Sequence, residues 1–203
     1  MLLLFPDPQN EPISIIQKDG NVEYIPNFFS IKSSHQFLAQ LSENIPWEND
    51  KIQIFGKEII TKRKVAWFGN QPFKYTYSKN TRTALPWSKE LLKIKAIIEK
   101  KTGEEFNSCL LNLYHDGDEA MGWHTDNEKE LKENGTIASV SFGVARKFSF
   151  KHRLSSEIVS IQLENGSVLL MKGETQKHWL HRLHPSKKIS EMRINLTFRT
   201  IAA

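Results

Sequence analysis

The seven residues Arg193–Arg199 alternate strictly between polar and apolar side chains, and this pattern constrains the fold more than any other. Alternation with a period of two is typical of a β-strand with two different faces. One face carries Arg193, Asn195, Thr197 and Arg199, and the other carries Ile194, Leu196 and Phe198. The simplest interpretation is an edge strand with solvated arginines. The alternative is a clamp for carboxylates, because guanidinium groups bind carboxylates through paired hydrogen bonds.

Other short segments in the second half of the chain also predict strands, with turn residues such as Asn165-Gly166 between them. We expect strands at 108–114, 137–142, 146–151, 157–163, 167–172 and 192–200. From the first half we expect an irregular or extended arm over 1–30, a helix ended by Pro46, a hairpin over 51–68 and a helix over 88–102. This order predicts an α+β fold with an antiparallel sandwich or jelly roll at its centre.

The size and composition restrict the class of protein. A chain of 203 residues has the length of one domain. We find no apolar run long enough to cross a bilayer and no signal-peptide pattern, so we expect neither membrane insertion nor secretion. The single cysteine, Cys109, excludes an intramolecular disulfide and a cysteine-based metal cage, which indicates a reducing compartment. The net charge of +5 is compatible with a polyanionic partner without establishing one.

The segment His124-Thr125-Asp126 is the first candidate for a metal site. In an extended chain His124 and Asp126 point to the same side, and together they form two thirds of a facial triad of the kind that binds non-haem Fe(II). The alternative is a polar pair on the surface. A third ligand could come from His178, His181 or His184, and periodicity does not choose among them.

Asn112 and Tyr114 share one face of the strand predicted at 108–114. They are either polar groups aimed at a site or residues packed at the rim of a sheet. Each of these pieces alone is more often structural than functional. Their order along the chain is more informative: a polar strand, an H-x-D segment, a distant histidine and then the alternating strand.

In this order the motifs resemble the AlkB-type Fe(II)- and 2-oxoglutarate-dependent nucleic-acid dioxygenases. The resemblance covers residues 52–201 and is densest over 112–128, 138–150 and 178–199. It implies a double-stranded β-helix (jelly roll) core over about 107–201, preceded over about 1–106 by an extension, supporting helices and a nucleotide-recognition lid of hairpins, all in one dioxygenase domain. It assigns the iron ligands to His124, Asp126 and His181, and the 2-oxoglutarate site to Asn112, Tyr114, Arg193, Asn195, Thr197 and Arg199.

The resemblance also implies how the substrate is held. Glu128 falls at the acidic position that contacts the exocyclic amine of the damaged base, and Tyr77 falls at the aromatic position that stacks on that base. Tyr75 and Ser78 belong to the same lid strand. The likeness is greatest to the duplex-preferring branch, in which Phe55 of the segment Ile54-Phe55-Gly56-Lys57 would act as a wedge in the helix and Arg63 would contact the backbone or the opposite strand. Tyr77 departs from the Phe of close relatives.

The activity implied is oxidative demethylation of N-alkylated bases in DNA, with Fe(II), 2-oxoglutarate and O2, and with release of formaldehyde, succinate and CO2. The expected partner is alkylated double-stranded DNA, and the expected state is a monomer in a bacterial cytoplasm or a eukaryotic nucleus. Four alternatives stay open: the same chemistry on RNA or single strands, a small-molecule hydroxylase, a nucleic-acid binding module without catalysis, and a cupin that uses another metal.

Overall fold

Two antiparallel β-sheets packed face to face form the centre of the molecule. The structure is a computed structural model and describes residues 11–54, 57–77 and 80–202. Its helices are α1 Ile31–Asn44, α2 Lys89–Thr102 and the short α3 Thr175–His178. Its strands are β1 Ile13–Ile16, β2 Asn21–Ile25, β3 Glu48–Ile54, β4 Lys57–Gly69, β5 Lys74–Tyr77, β6 Asn80–Thr83, β7 Leu85–Pro86, β8 Ser108–Tyr114, β9 Met121–His124, β10 Ile137–Gly143, β11 Arg146–His152, β12 Ile158–Leu163, β13 Ser167–Lys172, β14 Trp179–Leu183 and β15 Arg193–Arg199.

The large sheet has the strand order β1-β2-β13-β10-β15-β8-β4-β3, with the short β7 attached to β4. The small sheet has the order β12-β11-β14-β9, and β5 pairs with β6 in a separate hairpin. The strands pair antiparallel except where β7 meets β4. The strand β15 lies between β10 and β8, so both of its edges are hydrogen-bonded. It is therefore an interior strand, and the interpretation as a solvated edge strand is wrong.

Two hydrophobic cores hold these layers together. One lies between α1, α2 and the outer face of the large sheet, and it includes Phe37, Ile94 and Phe198. The other lies between the two sheets, where Phe150 and Trp179 of the small sheet meet residues of the large one. Each face of the large sheet is thus covered, which explains the near-continuous burial of β10, β13 and β15. This is the predicted jelly-roll sandwich.

The local predictions agree with the structure where the pattern is strong. The helix predicted at 88–102 is α2, with Ser88 as its N-cap and with Gly103 in the left-handed conformation at its end. The arm predicted over 1–30 contains β1 and β2, and β2 pairs with β13 in the large sheet. Strands β9 and β14 were not predicted from the pattern. Within the described residues, no helix is both long and apolar enough to span a membrane.

Arg146 joins the loops at one end of the sandwich. Its guanidinium is almost fully buried and donates to the carbonyl oxygens of Asp116, Gly117, Glu119 and His184, at 2.7–3.0 Å. The charge is thus spread over four acceptors in two separate loops. One of these loops joins β8 to β9 and the other follows β14, so Arg146 is structural.

We expect Arg146→Met to destabilise the protein by about 3 kcal/mol, because it leaves buried carbonyl oxygens without donors. The measurement is the free energy of unfolding from a urea titration followed by Trp fluorescence. Lys147→Met, at the exposed neighbouring position, is the matched control and should change stability by less than about 0.5 kcal/mol. A loss below about 1 kcal/mol for Arg146→Met would show that the loops hold without the guanidinium.

Candidate active site

Strand pairing brings two histidines together. His124 ends β9, His181 lies in β14, and the two residues are paired in register. Their ring centroids are 4.3 Å apart, with the ring planes 68° from parallel. Phe148 and Phe150 of the neighbouring strand β11 pack against the His181 ring, which is 3% exposed. The position of His181 is therefore set by the core between the sheets.

Asp126 completes the cluster. It lies two residues beyond the end of β9, and its carboxylate oxygen Oδ1 is 3.9 Å from Nε2 of His124. One donor atom from each of His124, Asp126 and His181 falls within 4.8 Å of the others, close enough for one metal ion. A search of the described residues for three or more His, Cys, Asp or Glu side chains that are this close together finds this group.

The structure also decides between the three candidate histidines. His178 stacks on His152, with the planes 11° apart, and lies 3.7 Å from a carboxylate oxygen of Glu174. His184 makes a 2.7 Å hydrogen bond with the hydroxyl of Ser149. Neither belongs to the cluster, so His181 is the third donor.

The protonation states of His181 and Asp126 suit a divalent cation. Burial lowers the pKa of His181 to about 3, so the ring is neutral near pH 7 and its lone pair is available. Burial by itself would raise the pKa of Asp126. Electrostatic interactions with nearby groups, the largest of them with the Arg199 guanidinium at 3.1 Å, outweigh burial and lower this pKa below its ordinary value. Nδ1 of His124 is 2.8 Å from the carbonyl oxygen of Gly122, which leaves Nε2 free for a metal. Two imidazoles and one carboxylate on one side are the ligands of non-haem Fe(II) sites.

A cavity of about 300 Å³ opens beside these donors. Its lining includes the three donors and every residue that the resemblance placed around 2-oxoglutarate: Asn112, Tyr114, Arg193, Asn195, Thr197 and Arg199. The polar face of β15 thus points into the cavity between the sheets. Thr197 donates to the amide oxygen of Asn195, and the Asn195 amide group donates to Ser139 at 2.8 Å.

Arg193 and Arg199 have different surroundings in this cavity. Arg199 pairs with Asp126 at 3.1 Å and with Glu128 at 3.4 Å, so it lies at the metal end. Arg193 is 2% exposed, donates to the Ser141 hydroxyl at 2.9 Å and lies over the Tyr114 ring. Within the described residues Arg193 has no carboxylate in ion-pair distance, and burial lowers its pKa to about 10. A buried cation of this kind needs an anion, which a dicarboxylate can supply.

Arg63 lines the same cavity and is 8% exposed. Its guanidinium pairs with Asp50 and donates to the sulfur of Met121 at 3.2 Å. It also lies 6.0 Å from the centroid of the Tyr114 ring. These contacts hold the Arg63 guanidinium beside Asp50, Met121 and Tyr114, which also line the cavity.

Glu128, the residue expected to contact the base, also lines the cavity. Tyr75 and Tyr77 belong to β5, which pairs with β6, and the described part of the chain includes their backbone but not their side chains. Phe55, Gly56 and Ser78 lie outside the described residues.

Sequence reasoning did not identify four polar residues that support the site. Ser139 and Ser141 hold Asn195 and Arg193, Asp50 holds Arg63, and Gln176 accepts a hydrogen bond from the main chain of Asp126. The two serines alternate in the strand predicted at 137–142, so their shared face was a usable signal. Asp50 and Gln176 carry no such signal.

A sandwich of antiparallel sheets with two histidines and a carboxylate around one point defines a class: the mononuclear non-haem iron oxygenases. Comparison with known proteins agrees. Residues 21–199 match the family described as the 2OG-Fe(II) oxygenase superfamily, and the chain belongs to that superfamily. The predicted cofactors, Fe(II) with 2-oxoglutarate and O2, are those of this superfamily.

The resemblance to AlkB-type dioxygenases is confirmed by curated relatives. The chain is 41% identical over 159 residues to the mouse (Mus musculus) DNA oxidative demethylase ALKBH2, covering 74% of this chain and 66% of the relative. It is 38% identical over 189 residues to human (Homo sapiens) alpha-ketoglutarate-dependent dioxygenase alkB homolog 3, covering 87% and 64%. The matched region is thus a little under two thirds of each relative.

A solved structure, that of OsALKBH1, has a similar fold. Its TM-score is 0.63, and the match covers 88% of this chain and 97% of that one. The sequence identity is 17%, so this likeness concerns the fold alone.

Proposed function

We propose that this protein demethylates N-alkylated bases of the 1-methyladenine and 3-methylcytosine type in DNA, by direct reversal, and that it works as one dioxygenase domain. The observation that carries the proposal is the single cavity that joins a His-Asp-His cluster to a buried arginine without a carboxylate partner among the described residues. The DNA substrate is supported by relatives named DNA oxidative demethylases. Bound Fe(II), 2-oxoglutarate and O2 supply the oxidation that converts the N-methyl carbon to formaldehyde, with succinate and CO2 as co-products.

Different residues of this chain are assigned to the metal centre and to 2-oxoglutarate. We assign the distal carboxylate of 2-oxoglutarate to Arg193, because Arg199 is already paired with Asp126 and Glu128. Arg199 then keeps Asp126 ionised and occupies its Oδ2, which leaves Oδ1 toward His124 and the metal. The remaining polar residues of the cavity supply neutral hydrogen bonds to the co-substrate: Asn112, Tyr114, Asn195 and Thr197.

The base must leave the duplex to reach this buried cavity. Adenine and cytosine methylated at the pairing nitrogen carry a positive charge, and the Glu128 carboxylate at the cavity wall complements it. Tyr77 is proposed to stack on the base against His124, with Tyr75 and Ser78 on the same lid. Arg63, whose guanidinium pairs with Asp50 here, is the proposed contact to the DNA backbone or the opposite strand.

We further propose that double-stranded DNA is the preferred substrate. In the hairpin of β3 and β4, Ile54 is paired with Lys57, and Phe55 and Gly56 connect them in the sequence. An apolar side chain between base steps can offset part of the unstacking cost of a few kcal/mol. We also propose that the protein is a monomer; the single cysteine supports a bacterial cytoplasm or a nucleus.

Phe55→Ala is expected to lower demethylation of a methylated duplex about 10-fold or more. Without the Phe side chain, about 1.4 kcal/mol or more of the unstacking cost is no longer offset, and 1.4 kcal/mol corresponds to a tenfold change in rate. Single-stranded substrate should be demethylated at the rate of the unmodified protein. The matched control is Ile60→Ala, an exposed apolar residue of the same hairpin, which should leave both substrates unaffected. Equal losses on duplex and single strand would contradict the wedge and favour action on RNA or single strands.

The proposed activity is tested on oligonucleotides that carry 1-methyladenine or 3-methylcytosine. The protein is loaded anaerobically with Fe(II) and 2-oxoglutarate and exposed to O2, and mass spectrometry follows the loss of the methyl group. We expect one formaldehyde and one succinate for each methyl group removed. Turnover of 2-oxoglutarate that a small metabolite stimulates, without demethylation of any oligonucleotide, would instead identify a small-molecule hydroxylase.

A further inference from the structure

The three metal donors are not fixed in the same way. His124 and His181 lie in paired strands, so the sheet itself sets their distance. Asp126 lies beyond the end of β9, in a segment without strand pairing over residues 125–128. Its ion pair with Arg199 restrains the carboxylate but leaves the main chain of this segment to be held by another contact.

The side chain of Gln176 makes that contact. Its Oε1 accepts a hydrogen bond from the main-chain N–H of Asp126 at 2.9 Å. Both residues are more than nine-tenths buried. At the other end of the carboxamide, Nε2 donates to the sulfur of Met171, at 3.3 Å, in β13 of the large sheet. The carboxamide is therefore oriented from both sides, with its oxygen toward Asp126.

The short helix that carries Gln176 is itself attached to the large sheet. The hydroxyl of Thr175, the preceding residue, donates to the carbonyl oxygen of Lys172 at 2.6 Å and accepts the N–H of Asn21 at 3.0 Å. At its other end α3 runs directly into β14, which carries His181. Gln176 thus connects the segment of Asp126 with the segment of His181.

We propose that Gln176 is a positioning residue for the metal centre: it holds Asp126 at the distance from His181 that one metal ion requires. Groups that orient metal ligands typically contribute 10–100-fold to metal affinity. The inference concerns the metal site alone and holds for any substrate. Its test is therefore independent of the proposed demethylation of DNA.

The test is the affinity of the metal-free protein for Mn(II), measured anaerobically from the EPR signal of the free ion. Gln176→Met keeps the length of the side chain and removes the acceptor. We expect its affinity to fall about 10-fold or more, while the thermal midpoint of the metal-free protein stays within about 5 °C. Lys177→Met, an exposed position of the same helix, is the matched control and should bind Mn(II) normally.

Two results would overturn the proposal. One is unchanged Mn(II) affinity in folded Gln176→Met, and the other is an equal loss of affinity in Lys177→Met, which would assign the effect to the helix as a whole. If Gln176→Met does not fold, Gln176→Ala is titrated in its place, with the same expected loss and the same contradicting result.

Discussion

Asp126→Asn should abolish turnover and weaken Fe(II) binding by more than about 100-fold. Groups that merely support a metal ligand already contribute 10–100-fold, and this change removes the anionic ligand itself. The substitution keeps the shape of the side chain and the main-chain hydrogen bond to Gln176, so the surroundings of the site stay in place. The carboxylate charge is essential because the other two donors, His124 and His181, supply no negative charge to the metal.

The measurement is anaerobic titration of the metal-free variant with Fe(II), together with the uncoupled and substrate-coupled turnover of 2-oxoglutarate. Asp118→Asn, an exposed carboxylate of the neighbouring loop, is the control and should behave as the unmodified protein does. Fe(II) affinity within a few-fold of normal in Asp126→Asn would show that the metal lies elsewhere.

Arg193→Met should raise the KM for 2-oxoglutarate by about 100-fold or more. Two hydrogen bonds from a charged donor contribute about 3 kcal/mol or more together, and each 1.4 kcal/mol corresponds to a factor of ten. Fe(II) affinity should stay close to normal, because Arg193 lies away from the pair that Arg199 forms with Asp126. The metal-free, co-substrate-free variant should be at least as stable as the unmodified protein, since the substitution removes a buried charge that has no carboxylate partner among the described residues.

Thermal unfolding with and without 2-oxoglutarate tests this directly. A ligand that binds only the folded state raises its stability, so 2-oxoglutarate should raise the thermal midpoint of the unmodified protein and leave that of Arg193→Met unchanged. Arg182→Met, which removes an arginine that lies over Trp123 outside the cavity, should keep the normal response. An unchanged KM in Arg193→Met would assign the distal carboxylate to Arg199.

The alternating strand shows what a local pattern can predict. A period of two fixes which residues of β15 share a face, so the grouping of Arg193 with Asn195, Thr197 and Arg199 follows from the sequence. Whether that face meets solvent or a cavity depends on β10 and β8, which lie far away in the chain. The alternation alone is therefore consistent with a solvated edge strand and also with a carboxylate clamp.

The choice of His181 illustrates a signal that was present but unused. In β14 the buried positions are Trp179, His181 and Leu183, which are in phase with one another. His178 and His184 are out of phase with these two apolar residues, so alternation favours His181 once the strand is recognised. The sequence does not mark this strand clearly, because it is only five residues long and contains two polar residues besides its apolar ones.

The support of the site could not be predicted in the same way. Gln176 and Asp50 meet their partners in the site through contacts between segments that lie 50 and 13 residues apart in the sequence. One polar residue in a mixed segment carries no periodicity, and its partner depends on the packing of whole elements. Arg146 differs because an arginine in phase with Phe148 and Phe150 is itself a sequence pattern that indicates burial, and Arg146 is buried in the structure.

The most direct measurement is a crystal structure of the protein grown anaerobically with Mn(II), as a redox-stable substitute for Fe(II), and 2-oxoglutarate. We predict one ion bound by His124, Asp126 and His181, with the distal carboxylate of 2-oxoglutarate on Arg193. An ion coordinated by other side chains, or a co-substrate whose carboxylates leave Arg193 without a partner, would contradict the account.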